Sequence, residues 1–304
     1  MTASLRSAVK RVAERGLVAA RLPNLIWTLS SESAVILTYH NVVPDGESAG
    51  GDRSLHLPRE DFARHLDLLV ESHGVVSLET LLRGTASNGR PQAAITFDDA
   101  YRGALTAGVG ELTERGLPFS VFVPPGLLGS SSVWWDALAT PEEGRVPPEV
   151  REAALVRARG RDDDVRRWAE QRGLTLAPQP RHASLVDEDL LDEVLELAGG
   201  AVGAHGWSHA NLVELGDAEL DEEVRRPLTW LRERFADCVV PWLSLPYGHS
   251  SRRVTAAALD AGYEGVLTLE GRRVRPGRSP REVPRVTVPA GVSPEGFLLR
   301  TAGL

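Results

Sequence analysis

Four short segments of this 304-residue chain carry side chains able to do hydrolytic chemistry. In Thr96-Phe97-Asp98-Asp99-Ala100-Tyr101, two carboxylates leave an apolar run side by side. They point in different directions, so one can bind a cation while its neighbour handles a proton. In His205-Gly206-Trp207-Ser208-His209, two imidazoles four residues apart can meet on one ion, as i, i+4 pairs do in zinc sites. Ser244-Leu245-Pro246-Tyr247-Gly248 offers a turn whose backbone N–H can face a developing oxyanion. Tyr39-His40 adds a lone imidazole. Each segment also has a plain reading: a solvated turn or helix cap for the aspartates, a chance spacing among eight histidines, a simple Pro-Tyr-Gly turn, a structural histidine.

The elements around them weigh against coincidence. AVILTY (34–39), AAITF (93–97), FSVFV (119–123), AVGAH (201–205) and VVPWLSLP (239–246) read as buried strands, with further strands at 264–269 and 283–288. Helices are expected over 58–74, 102–115, 187–198, 217–235 and 250–261. Strands alternating with helices imply an α/β fold on a mostly parallel sheet, closed as a barrel or open and doubly wound. Such folds build their sites at the C-terminal ends of strands, where all four segments lie. Residues 141–183 interrupt the alternation with Arg, Asp, Glu and Pro and read as a helical insertion. No glycine-rich phosphate loop follows the first strands, and no internal repeat is visible.

One aspartate with two histidines is a ligand set of N and O donors suited to zinc or a similar divalent ion. Asp98 then remains as a base, His40 as an acid and the Tyr247 N–H as an oxyanion donor. That combination describes metal-assisted hydrolysis.

TFDDAY, HGWSH and SLPYG, in that order, resemble the polysaccharide deacetylases of carbohydrate esterase family 4, the NodB-homology fold. ILTYHNVVPD and VFVPPGLLGSSSVWWDAL are similar to the permuted branch that includes poly-N-acetylglucosamine deacetylases. The resemblance spans about residues 34–290, with gaps. It implies a distorted (β/α) barrel of fewer than eight strands, a metal on Asp99, His205 and His209, and Asp98 as the general base. It further implies the Tyr247 N–H at the oxyanion and His40 as the acid that protonates the leaving amine. The expected activity is removal of acetyl from an N-acetylated sugar, glycan or glycolipid with a divalent metal, zinc foremost. An O-acetyl esterase and a catalytically impaired glycan-binding protein are the alternatives.

Departures from the family pattern carry expectations of their own. Ala100 stands where glycine is usual, a mild change. Gly206 replaces a Ser/Thr and removes a hydrogen bond behind the first histidine. Ser244 stands in place of the arginine that orients the base, so Asp98 is expected to be less firmly held. Trp134, Trp135 and Asp136 are expected either to line a sugar cleft or to pack the insertion. Trp207 reads as a core anchor and His249 as near the pocket without a role. His56, His65, His73 and His182 read as surface residues, and Cys238 as buried and inert.

Composition bounds the rest. With 42% apolar and 25% charged residues, the chain is neither disordered nor collagen-like. No run approaches ~18 uninterrupted apolar residues. One cysteine cannot make an intramolecular disulfide, and a net charge of −8 argues against bulk nucleic-acid binding. Residues 1–30 form a basic amphipathic segment with Lys10, Arg11, Arg15 and Arg21, which Pro23 is expected to end, ahead of a catalytic domain over 31–304. Arg15 and Arg21 break any secretory h-region, so a cytoplasmic location is expected. The first helix would either pack on the domain or touch an anionic membrane surface.

Overall fold

The computed structural model describes residues 3–29, 33–84, 89–277 and 281–304. Eleven strands are found among them: β1 (Ala34–Tyr39), β2 (Asn41–Val43), β3 (His56–Pro58), β4 (Gly74–Val75), β5 (Gln92–Asp98), β6 (Ser120–Val123), β7 (Ala201–Ala204), β8 (Val239–Ser244), β9 (Gly265–Thr268), β10 (Glu282–Pro284) and β11 (Val286–Thr287). The main sheet runs β10-β9-β8-β7-β6-β5-β1-β11, with every pairing parallel. β4 joins the start of β5, and β2 pairs with β3 in a separate ribbon.

The run expected at 283–288 is not one strand. Its first half pairs with β9 and its second half with β1, at opposite edges of the sheet. A single residue, Arg285, separates the halves, so this bent strand nearly closes the sheet into a barrel. The result is the distorted (β/α) barrel that the family resemblance implies, with eight strands along the sheet path, or seven when the bent strand is counted once.

Side chains two apart share a face of a strand, and this period sorts the core into two clusters. Val35, Leu37, Ile95, Phe97, Val121, Val202 and Leu243 pack outward beneath the helices. Ile36, Ala94, Phe122, Trp242, Leu267 and Val283 form the other cluster, with Leu78 and Leu81 of the helix Leu78–Arg83. Continuing that second register toward the strand ends gives Thr38 and His40, Thr96 and Asp98, Ser244, then Arg285 and Thr287. The same face is apolar at one end of the barrel and polar at the other.

The amino-terminal segment is two helices, Ala3–Ala19 and Leu22–Leu29, broken at Arg21, whose φ is 57°. Pro23 does not end the first helix; it sits in the first turn of the second, where its missing N–H costs nothing. Glu14 accepts a hydrogen bond from Ser293 at the start of the helix Pro294–Ala302, while Val9 and Val12 stay exposed. The boundary expected between residues 30 and 31 lies outside the described residues. Residues 141–183 contain the helices Pro148–Arg157 and Asp162–Glu170. Among the described residues no helix is long and apolar enough to cross a membrane.

Candidate active site

All six residues singled out from the motifs line one cleft of 720 Å³ at the polar end of the barrel: His40, Asp98, Asp99, His205, His209 and Tyr247. Strand ends deliver them. Asp98 closes β5, His205 follows β7, His40 follows β1, and Tyr247 lies in the turn after β8.

The ligating atoms of Asp99, His205 and His209 lie within 4.8 Å of one another, and all three residues are buried. The His205 and His209 Nε2 atoms are 3.1 Å apart, and Asp99 Oδ1 is 3.4 Å and 3.1 Å from them. The Nδ1 of His205 is 2.9 Å from the Ser244 carbonyl oxygen, which only accepts, so the ring hydrogen sits there and Nε2 keeps its lone pair. Asp99 Oδ1 is buried without a hydrogen-bond donor. With the two Nε2 atoms it forms a compact set of N and O donors that fits a divalent cation.

Two imidazoles this close cannot both carry charge, and their affinities for a proton diverge accordingly. Burial lowers His205, but the Asp98 and Asp99 carboxylates outweigh it and raise the group; for His209 burial wins and the net is a fall. Burial likewise raises Asp99, yet the His209 and His205 imidazoles beside it take it well below the usual carboxylate range.

Asp98 is held by a residue that the motifs did not reveal. Arg285 donates from Nη1 to Asp98 Oδ1 at 2.9 Å and from Nη2 to Oδ2 at 2.7 Å, a bidentate pair in which both groups are buried. Arg285 also donates to Ser244 Oγ at 2.7 Å and to Thr96 Oγ1 at 3.2 Å. The expectation that Ser244 leaves Asp98 loosely held is therefore corrected. The guanidinium arrives from the bend between β10 and β11, and the small serine leaves it room. Burial raises the Asp98 carboxyl, but the charges of Arg285, His205 and His40 bring it below its ordinary value. One signal was present in the sequence: a lone arginine in phase with Val283 and Thr287 in a predicted buried strand.

Gly206 is compensated as well. The Ser244 carbonyl orients His205, and the buried Glu223 carboxylate accepts from Trp207 N and Ser208 N at 2.9 Å each and from Ser208 Oγ at 2.6 Å, pinning the loop between the histidines. Trp207 is not a core anchor; it is half-buried, with the Arg226 guanidinium 3.7 Å above its ring.

The two tryptophans divide the roles expected of them. Trp134 packs the 141–183 segment, its backbone N–H donating to Asp162 Oδ1 at 2.6 Å. Trp135 lines the cleft with its ring 4.5 Å from that of His209. Tyr247 is clamped by that same segment: its hydroxyl donates to the Gly160 carbonyl at 2.9 Å, and a Cβ on Gly160 would lie 2.8 Å from its ring. Its edge meets the His209 ring at 4.6 Å.

His56, His65, His73 and His182 are not surface residues; all four are buried. His56 Nε2 bonds Asp136 at 3.0 Å, and Asp136 also accepts from Tyr101 at 2.7 Å and from Asp52 N at 2.9 Å. Asn41 bridges His56 and His182 at 2.8 and 2.9 Å. This network ties the 45–54 loop to the wall that carries Trp135. His65 stacks on Phe297 at 4.3 Å, and His73 meets the edge of Trp27 at 5.3 Å. Residue type alone could not tell these rings from solvated ones. His249 is exposed and bonds Asn211 at 3.1 Å. Cys238 is half-buried, in a short turn ahead of β8 and not within the strand.

Residues 85–266 match the polysaccharide deacetylase family. No curated protein matches the sequence. Among solved structures, IcaB from Ammonifex degensii is 20% identical with a TM-score of 0.60, covering 89% of this chain and 97% of that one. The deacetylase PplD of Streptococcus pyogenes, solved with acetate, is 14% identical with a TM-score of 0.61 and coverages of 88% and 98%. A de-N-acetylase from Aggregatibacter actinomycetemcomitans is 16% identical with a TM-score of 0.56, covering 84% and 94%. At these identities the likeness is one of fold.

Proposed function

The chain belongs to the polysaccharide deacetylase family, and from that we propose that it is a metal-dependent hydrolase removing the acetyl group from an N-acetylated amino sugar. The observation that carries this reading is a buried Asp99–His205–His209 donor set beside an Arg285-bound Asp98 in one cleft.

Asp99, His205 and His209 would hold the ion, with zinc the best match to their N and O donors. When bound, such an ion polarises an acyl oxygen and lowers the pKa of water. Asp98, kept ionised by Arg285, would accept the proton of the attacking water. The Tyr247 backbone N–H would donate to the acyl oxygen as it gains charge. His40, across the cleft, would protonate the departing nitrogen, giving acetate and a free amine. An amine leaves poorly unless protonated, so an imidazole at this position favours the amide over an O-acetyl ester.

The test is acetate release from N-acetylglucosamine oligomers by zinc-loaded protein, beside Asp98→Asn and His40→Ala. Wild type should turn over, and Asp98→Asn should lose nearly all activity at unchanged metal content. His40→Ala should lose about 10²–10⁴-fold. Full activity in Asp98→Asn would overturn Asp98 as the base; tight zinc without acetate release from any N-acetyl sugar would sink the hydrolase reading and leave a glycan-binding protein.

A further inference from the structure

The mouth of the cleft carries cationic groups that this reaction does not use. Besides the residues assigned above, its charged lining is Asp52, Arg53, Glu143, Arg145 and Arg151. Three of these are committed locally: Arg145 donates to Glu143 at 3.0 Å, and Asp52 caps its own turn through Ser54 N at 3.1 Å and Ser54 Oγ at 2.7 Å. Arg53 and Arg151 meet no carboxylate among the described residues, in a protein with 42 acidic side chains.

Arg53 is nevertheless held in place. Its Nη2 donates to the Pro141 carbonyl at 2.6 Å, and its backbone N–H to the Gly144 carbonyl at 2.8 Å. Its stem lies across Gly144, whose φ is +61° and where a Cβ would run into Arg53 Cδ. The turn that presents Gly144 is closed by the Thr140–Arg145 bridge. Arg151, half-buried on the helix Pro148–Arg157, makes no side-chain hydrogen bond or ion pair among the described residues. A half-buried guanidinium without a counter-ion, lining the same cleft as an exposed one whose stem is fixed, leaves donors there that could meet an oxyanion.

We propose that the cleft selects amino sugars bearing an oxyanion, phosphate or carboxylate, held by Arg53 and Arg151 while the N-acyl group faces Asp98. The inference rests on the deacetylase reading for where the acyl group lies, and its test is a binding measurement that needs no turnover. The zinc-loaded wild type would be titrated with glucosamine 1-phosphate, muramic acid and glucosamine, which carries the same amine but no oxyanion. We expect at least one anionic sugar to bind about tenfold or more tightly than glucosamine, less so as salt rises. Arg53→Gln and Arg151→Gln should each erase most of that preference, whereas Arg64→Gln, on an outer helix, should keep it. The tighter of the two anionic probes identifies the oxyanion. Equal affinities, no detectable binding of any probe, or a preference that survives both cleft substitutions would overturn the proposal. Acetate release from neutral oligomers reports separately on the deacetylase reading.

Discussion

As the proposed base, the buried Asp98 needs a counter-charge, and Arg285 supplies one. Removing one partner of a buried pair leaves the other charge uncompensated, a loss of about 3–5 kcal/mol. Arg285→Gln should therefore raise the Asp98 pKa, move the acid limb of the kcat–pH profile to higher pH, and cut kcat about 10²-fold or more. Metal content should stay unchanged, because Asp99, His205 and His209 make no bond to Arg285. An unchanged pH profile would make Arg285 a packing residue only. At this scale the sequence was informative about type and silent about partnership. The aspartate pair, the histidine pair and His40 were legible because their spacing is local. Arg285 reaches Asp98 across 187 positions, and its strand read as one uniform run.

The elements deliver these groups at a conformational cost. Asp99, Ala100, His209 and Tyr247 have φ of 71°, 63°, 55° and 60°, the left-handed region that costs a non-glycine residue about 1–2 kcal/mol. Strand ends turn this sharply to bring the side chains of Asp99 and His209 and the Tyr247 turn into one cleft, so backbone strain collects at the site. It also explains why glycine is the usual residue after the aspartate pair. Ala100→Gly should stabilise the fold by roughly 0.5–1 kcal/mol in denaturant titration, the relief of Cβ strain outweighing the added unfolded-state entropy. A loss of stability would show instead that the buried Ala100 methyl contributes more through packing than it costs. Strand and helix periods were readable because burial imposes them. The break between β10 and β11 was not, since both halves have the same alternation and only tertiary pairing separates them.

Over the whole molecule, two buried histidines fasten peripheral helices to the barrel. Burial lowers His65, stacked on Phe297, from 6.5 to about 4, and lowers His73, against Trp27, from 6.5 to about 3. The unfolded chain binds these protons at higher pH than the folded one does. Stability is therefore intact above pH 6.5 and falls as pH drops toward 4 and 3, by roughly 3 kcal/mol from His65 alone if its full shift is realised. Urea titrations between pH 7 and 4 should show this slope, and His65→Gln should flatten it; an equal slope in both proteins would place the acid sensitivity elsewhere. The bend at Arg285 carries a different consequence, one of order in time. A growing chain acquires Asp99, His205 and His209 well before residue 285, which lies between the strands that reach β9 and β1 and holds Asp98. Emerging from the ribosome, it would complete the proposed ligand set before the proposed base gains its counter-charge, so the step that finishes its architecture would also finish its site.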